Sequence, residues 1–350
     1  MDKRIIAAKK DVIVAGKELI KRNLIARTWG NISMRISDTQ FVITPSGRSY
    51  DSLTQEDIVT VSIADLSYEG NILPSSEMGV HAKGYKYHPE VNFIIHTHQS
   101  NASALSVLGS DLNVNRLIPC AKYGLPSSKE LAENVGRVIK KNKNCYGILM
   151  KNHGVLCLGK SMEDAFDIAE DLEEEAEKIY EDLTREEVLR DLDPKRDIAI
   201  LPDEKAEKYL YRLRDMTCNA VLLSRSPYTK KMSDYGKKMY PYIDDLAMVA
   251  GTSVKCVKNM NSPSGIADCL NNRAAVFVRG RGAICIGVDA DEAMAVATVL
   301  EKGCKAAYLA KKVGHIPPLP KRVASFERRN YVEKYSKLKE EKQNGKDSHG

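Results

Sequence analysis

Twenty-one residues starting at His153, HGVLCLGKSMEDAFDIAEDLE, return in altered form 128 positions later as RGAICIGVDADEAMAVATVLE, starting at Arg281. Seven positions are identical: Gly154/Gly282, Cys157/Cys285, Gly159/Gly287, Ala165/Ala293, Ala169/Ala297, Leu172/Leu300 and Glu173/Glu301. Each copy opens on an apolar run, turns at a glycine and goes on with apolar residues at helical spacing, so a strand, a turn and a helix recur in one register. Chance similarity between two strand-turn-helix units is the competing reading. Duplication restricts the chain to two related α/β domains, and 350 residues allow each to bury a core of its own. One difference is chemical: Arg281 stands where the first copy has His153.

Ahead of the first copy, Ile5, Ala8, Val12, Ala15 and Leu19 follow three- and four-residue steps, which predicts an amphipathic opening helix. Ile32, Met34 and Ile36 alternate with polar residues as in a strand, and residues 41–43 and 58–63 read as two more. Turns are expected at Pro45-Ser46-Gly47 and Glu69-Gly70-Asn71. A helix is expected over 77–87, a strand over 91–98 and a helix over 102–108. Strands at 146–151 and 155–158 precede a long acidic helix over 161–181, for which Ser161 is a suitable N-cap. This mixture predicts an α/β sandwich around one central sheet. Residues 182–204 are highly charged and include Pro194 and Pro202, so the domain boundary is placed there.

Composition narrows the class. Apolar residues are 43% and charged residues 29%, while 22 Gly and 13 Pro are too few for a collagenous or low-complexity chain. No apolar run approaches the roughly 20 residues needed to span a bilayer, and the start, MDKRIIAAKKDV, carries charges where a secretory leader would be apolar. A cytoplasmic protein without a membrane partner is expected. The eight cysteines are scattered singly with mostly apolar neighbours, which predicts reduced core thiols. The net charge of +6 owes much to residues 321–350, read as a charged, solvated tail rather than a nucleic-acid footprint.

The strongest chemical signal is His96-Thr97-His98 at the end of the apolar run VNFII. Side chains two apart on a strand share a side, so both imidazoles can meet one ion, and neutral imidazole suits Zn²⁺. Two histidines satisfied on one strand face are the alternative. His153 between Asn152 and Gly154 supplies a possible third ligand, and three protein ligands with an open position are the pattern of a catalytic zinc; a turn histidine bonded to backbone is its alternative. Glu77, after Pro74-Ser75-Ser76 at a helix start, is an acid-base candidate, although a Glu at a helix start is common. Three turns carry small donors suited to an anion: Thr28 with Gly30-Asn31, Ser46-Gly47, and Ser75-Ser76.

The ordered motifs TWGNIS, ITPSG, DIV, PSSE, HTH, IPCAKYG and NHG resemble the class II aldolase/adducin superfamily, and within it the L-fuculose-1-phosphate aldolase branch, over about residues 5–180. The resemblance implies a three-layer class II aldolase-like sandwich with a central mixed or antiparallel sheet. It implies zinc ligands at His96, His98 and His153, a proton-transferring carboxylate at Glu77, and substrate-phosphate loops at Thr28, Gly30, Asn31, Ser46, Gly47, Ser75 and Ser76. Tyr123 falls on a tyrosine that protonates the aldehyde oxygen in an active site shared between subunits, which implies a homo-oligomer. The implied reaction cleaves a ketose 1-phosphate to dihydroxyacetone phosphate and an aldehyde, with zinc, or manganese or cobalt in its place, as cofactor.

Ribulose-phosphate 4-epimerases resemble this chain but usually carry Asp at the place of Glu77. Dehydratases and decarboxylases of sugar phosphates keep both Glu and histidines and stay open as alternatives, and an adducin-like interaction module would lack the histidines. The second half has no counterpart to GNIS, PSSE or HTH, and His315 is its only histidine before the tail. The expected division is therefore an aldolase domain over 1–195 with the metal site, a smaller degenerate α/β repeat over 205–320 and the tail over 321–350.

Overall fold

The computed structural model describes residues 3–22, 24–25, 29–113, 116–190, 198–200 and 219–346, with 198–200 and 334–346 described in backbone alone. Thr28, Cys218 and part of the expected boundary segment lie outside the described residues. The chain divides into two compact units, Met1–Val188 and Leu189–Gly350.

Unit 1 opens on α1 (Lys3–Lys21), which buries Ala8, Val12, Ala15 and Leu19 along the expected stripe. Its sheet comprises β1 (Asn31–Arg35), β2 (Gln40–Ile43), β3 (Val59–Ser62), β4 (Phe93–Thr97), β7 (Cys120–Ala121), β8 (Gly147–Met150) and β9 (Val155–Gly159), in the order β3-β2-β1-β4-β9-β8-β7. Every pairing is antiparallel except β7 with β8. The two-residue strands β5 (Leu112–Asn113) and β6 (Leu117–Ile118) pair apart from it. Helices α2 (Met78–Tyr87) and α4 (Lys129–Lys141) cover one face, and α1, α3 (Ser100–Ser106) and α5 (Met162–Thr184) cover the other.

Strand periodicity explains the apolar runs. Ile94, Ile148, Met150, Leu156 and Leu158 pack with Val80 and Tyr85 of α2 and Leu131 and Val135 of α4. The alternate residues Phe93, Ile95, Leu149 and Cys157 are also buried, on the opposite face. The helix expected over 102–108 begins at Ser100, because Glu173 of α5 accepts the backbone N–H groups of Asn101 and Ala102 at 2.6 and 3.0 Å. Helix α4 was not foreseen, although Leu131, Val135 and Ile139 form its buried stripe and Ser128 caps it through the Leu131 N–H.

Unit 2 carries β10 (Ile198–Ile200), β11 (Ala220–Ser224), β12 (Lys255–Val257), β13 (Ala275–Val278) and β14 (Gly282–Gly287), with helices α6 (Pro227–Asp234), α7 (Asp244–Ala250), α8 (Pro263–Leu270), α9 (Ala290–Val313) and α10 (Lys321–Lys346). Its strand order, β10-β11-β14-β13-β12, repeats β1-β4-β9-β8-β7, and among the described residues its only parallel pair is again the last, β12 with β13. The shared residues now have physical reasons. A Cβ on Gly154 would lie 2.4 Å from the Thr97 carbonyl oxygen, and one on Gly282 would lie 2.0 Å from that of Ser224. Glu301 accepts the Tyr228 and Thr229 N–H groups, both at 2.7 Å, as Glu173 does for α3.

The segment read as a solvated tail behaves otherwise at its start. Residues 321–346 form α10, whose Ala324 and Glu327 are buried. Arg328 donates to the carbonyls of Met248 and Val249 at 3.0 and 2.7 Å, satisfying the C-terminal end of α7. Charge alone had suggested solvation, whereas a guanidinium can dock by filling a helix end. Among the described residues no helix is long and apolar enough to cross a membrane. Seven described cysteines are free, and burial pushes the thiols of Cys145 to about 11 and Cys157 to about 12.

Candidate metal centre

The centre forms on the α2 side of the unit 1 sheet, at the end of β4. His96 shares the face of Ile94, and β1 pairs with β4 so that Asn31 lies opposite His96 and Ser33 opposite Ile94. Close approach here requires glycine at position 30. Its φ is +142°, and a Cβ would meet Ile25 Cγ2 at 2.7 Å and the His96 carbonyl oxygen at 2.8 Å. His98 follows the strand end, its N–H donating to the Leu24 carbonyl. His153 enters from the β8–β9 turn, where Asn152 takes a left-handed φ of 59° and Gly154 lets β9 close against Thr97.

All three imidazoles are buried, and their candidate ligand atoms lie within 4.8 Å of one another. His96 Nδ1 donates to the Val155 carbonyl at 2.8 Å, which leaves Nε2 with a lone pair aimed inward. That nitrogen lies 2.8 Å from His98 Nε2 and 3.2 Å from His153 Nε2. Nitrogens gathered this closely must share protons or face a cation. Burial lowers the His96 pKa well below its ordinary value, with the neighbouring imidazoles acting in the same direction, so the neutral ligand form is favoured.

Glu77 occupies the N-cap position of α2 but makes no cap hydrogen bond. Its carboxylate instead borders the cluster, with Oε2 3.3 Å from His96 Nε2 and Oε1 3.2 Å from His153 Nε2. Burial opposes its charge, but His96, His153 and the Asn31 amide outweigh that and hold its carboxyl well below the ordinary range. Oε1 is buried without a hydrogen-bond donor. Three inward nitrogen donors beside an unsatisfied carboxylate oxygen fit a divalent metal.

The other expected site residues are distributed as follows. Asn31 is buried, and its Nδ2 donates to Glu77 Oε2 at 3.0 Å. Ser46 donates its N–H to the Leu73 carbonyl and Ser75 donates its own to that of Thr44, so these two loops run side by side. Gly47 is exposed at φ 72°, Ser75 is buried, and exposed Ser76 accepts from the Ser127 hydroxyl at 2.6 Å. Tyr123, half-buried between β7 and α4, has its carbonyl held by Asn134. Thr28 is outside the described residues.

Sequence reading missed three buried residues behind Glu77: Ser33, His81 and Tyr85. The signal was available as Asn-x-Ser on a strand facing Glu-x₃-His-x₃-Tyr on a helix, because strand period two and helical spacing of four each put their members on one side. Burial lowers the His81 pKa from 6.5 to about 3. Below pH 6.5 the unfolded chain gains a proton on this imidazole that the folded chain does not, so its contribution is complete above pH 6.5 and is lost as pH falls toward 3. The loss is ~1.4 kcal/mol per pH unit for this group. Thermal midpoints at pH 6.5 and 5 should therefore fall more for the wild type than for His81→Gln; parallel falls would show that His81 is not the acid-sensitive group.

A family model described as the class II aldolase and adducin N-terminal domain matches residues 10–180 and again 207–308. The L-fuculose phosphate aldolase of Methanococcus maripaludis is 36% identical over 173 residues, covering 46% of this chain and 90% of that protein. That of Escherichia coli strain K12 is 30% identical over 173 residues, covering 47% and 78%. The 5-deoxy-D-ribulose 1-phosphate aldolase of Bacillus thuringiensis serovar kurstaki is 30% identical over 184 residues, covering 49% and 84%. With both copies matched by one model and the strand order repeated, this chain belongs to the class II aldolase and adducin N-terminal domain family, represented in it twice.

Proposed function

We propose that the protein is a metal-dependent sugar-phosphate aldolase that reversibly cleaves a ketose 1-phosphate to dihydroxyacetone phosphate and an aldehyde. The observation that carries this reading is the set of three inward imidazoles with the Glu77 carboxylate 3.2 to 3.3 Å from two of them. His96, His98 and His153 would hold the metal, zinc in this reading with manganese or cobalt also suited to imidazole, and it would supply Lewis-acid polarisation of the substrate carbonyl.

The protein's own groups divide the remaining work. In the condensing direction Glu77 removes a proton from the dihydroxyacetone phosphate carbon, the electron pair left behind forms the new C–C bond, and Tyr123 donates a proton to the aldehyde oxygen. Cleavage reverses each transfer. Gly30, Ser46, Gly47, Ser75 and Ser76, with Thr28, supply donors for the phosphate, whose binding away from the reacting bond orients it. Assembly as a homo-oligomer, with Tyr123 serving a neighbour's site and unit 2 as an assembly element, belongs to the same reading, as does a cytoplasmic location.

Glu at position 77 favours cleavage over 4-epimerisation, where Asp is usual. Metal-loaded protein incubated with a panel of ketose phosphates and sugar-acid phosphates, with products read by mass spectrometry, tests the proposal. Dihydroxyacetone phosphate with an aldehyde is the expected pair. Products that have only lost water or carbon dioxide, or only changed configuration, would replace it with a dehydratase, decarboxylase or epimerase.

A further inference from the structure

Behind Glu77 a line of buried polar side chains runs into the core between β1 and α2. Asn31 Nδ2 lies 3.0 Å from Glu77 Oε2, His81 Nε2 is hydrogen-bonded to Asn31 Oδ1, and Ser33 Oγ lies 2.6 Å from His81 Nδ1 and 2.6 Å from Tyr85 Oη. None of the five is more than 8% exposed. Such a line could be ordinary core satisfaction, but its proton directions are not free.

An ionised carboxylate only accepts, so Asn31 must turn its NH₂ toward Glu77 and its oxygen toward His81. That oxygen only accepts as well. The single proton of a neutral imidazole must then sit on Nε2, which leaves Nδ1 as an acceptor for the Ser33 hydroxyl. Ser33, having given its proton, accepts from Tyr85. Burial keeps His81 neutral and raises the Tyr85 pKa far above its ordinary value, so the phenol remains a donor. The opposite tautomer would let Asn31 rotate its amide, bringing an oxygen against the carboxylate and turning Glu77 away from the histidines.

We propose that His81 is a positioning residue which, as the Nε2–H tautomer held by Ser33 and Tyr85, locks the Asn31 amide as a donor and thereby aims the Glu77 carboxylate at the reacting carbon. This inference rests on Glu77 being the proton carrier in the proposed reaction. It assigns the Asn31 side chain to the carboxylate instead of to phosphate.

Two measurements on the full metal-loaded chain test it. Imidazole ¹⁵N spectra should show His81 protonated on Nε2 alone; a proton on Nδ1 would overturn the proposal whatever the enzyme's activity. In kinetics, His81→Leu should keep its metal and change KM less than about twofold, yet lose roughly 10- to 100-fold in kcat and in solvent exchange of the dihydroxyacetone phosphate proton. His81→Gln, whose amide can present an N–H in place of Nε2, should recover most of that loss. If His81→Leu fails to fold, the spectra and the Gln variant still decide. Wild-type exchange in His81→Leu beside lost exchange in Glu77→Gln would remove the positioning role and leave Glu77 standing. Wild-type exchange in both would remove the Glu77 assignment first.

Discussion

Replacing His96 or His153 with alanine is expected to abolish metal binding and activity together. With one imidazole gone, only two neutral nitrogen ligands remain in a buried pocket, too few for a catalytic site that also leaves a position for substrate. Lewis-acid stabilisation is worth several kcal/mol, so the fall in kcat should be roughly a thousandfold or more. The wild type should hold about one divalent ion per chain by metal analysis. Unit 2 gives the reason for one and not two: the aligned positions of His96, His98 and His153 there are Leu223, Arg225 and Arg281, and guanidinium groups repel a cation. Two ions per chain would contradict a second copy without a metal site. None after zinc reconstitution would point to an interaction module on an aldolase scaffold.

Glu77→Gln should produce the complementary phenotype. The amide keeps the side chain's shape and can accept from Asn31 through its oxygen, so the three imidazoles and the metal should remain. What it lacks is a base. Proton exchange at the dihydroxyacetone phosphate carbon should fall by about 10² to 10⁴, the range a positioned general base contributes. Metal content with exchange measured in deuterated solvent separates ligand from base. Full metal with unchanged exchange would mean that another group carries the proton, while lost metal would make Glu77 part of the ligand set.

Unit 2 keeps the residues that its backbone packing requires. Its histidine positions have changed, yet Gly282, Gly287 and Glu301 are kept, each where a backbone approach or a helix end admits little else. A Cβ on Gly287 would meet Ala293 N at 2.4 Å, and one on Gly159 would meet Ala165 N at 2.5 Å. These identities made the duplication visible in the sequence. The replaced histidines are equally visible, with Leu223, Arg225 and Arg281 at the aligned positions.

Local spacing was sufficient wherever the determinant is itself local. The stripe of α1, the Ser161 cap of α5 and the strand-turn-helix repeat follow from periods of 3.6 and 2, whereas His98, expected on the same strand as His96, lies just past the end of β4. Helix α4 and the docking of α10 were not legible in the same way, because a charged amphipathic segment reads as solvated until a partner surface is known. The site itself depends on long-range closure. His96 and His153 are 57 residues apart, Asn31 and Glu77 are 46 apart, and what brings them together is the register of β4 with β9 and β1 and the packing of α2 on that sheet. No single segment encodes the direction of the protons from Tyr85 to Glu77. That direction arises because folding removes water from five polar groups and leaves each only its neighbours as hydrogen-bond partners.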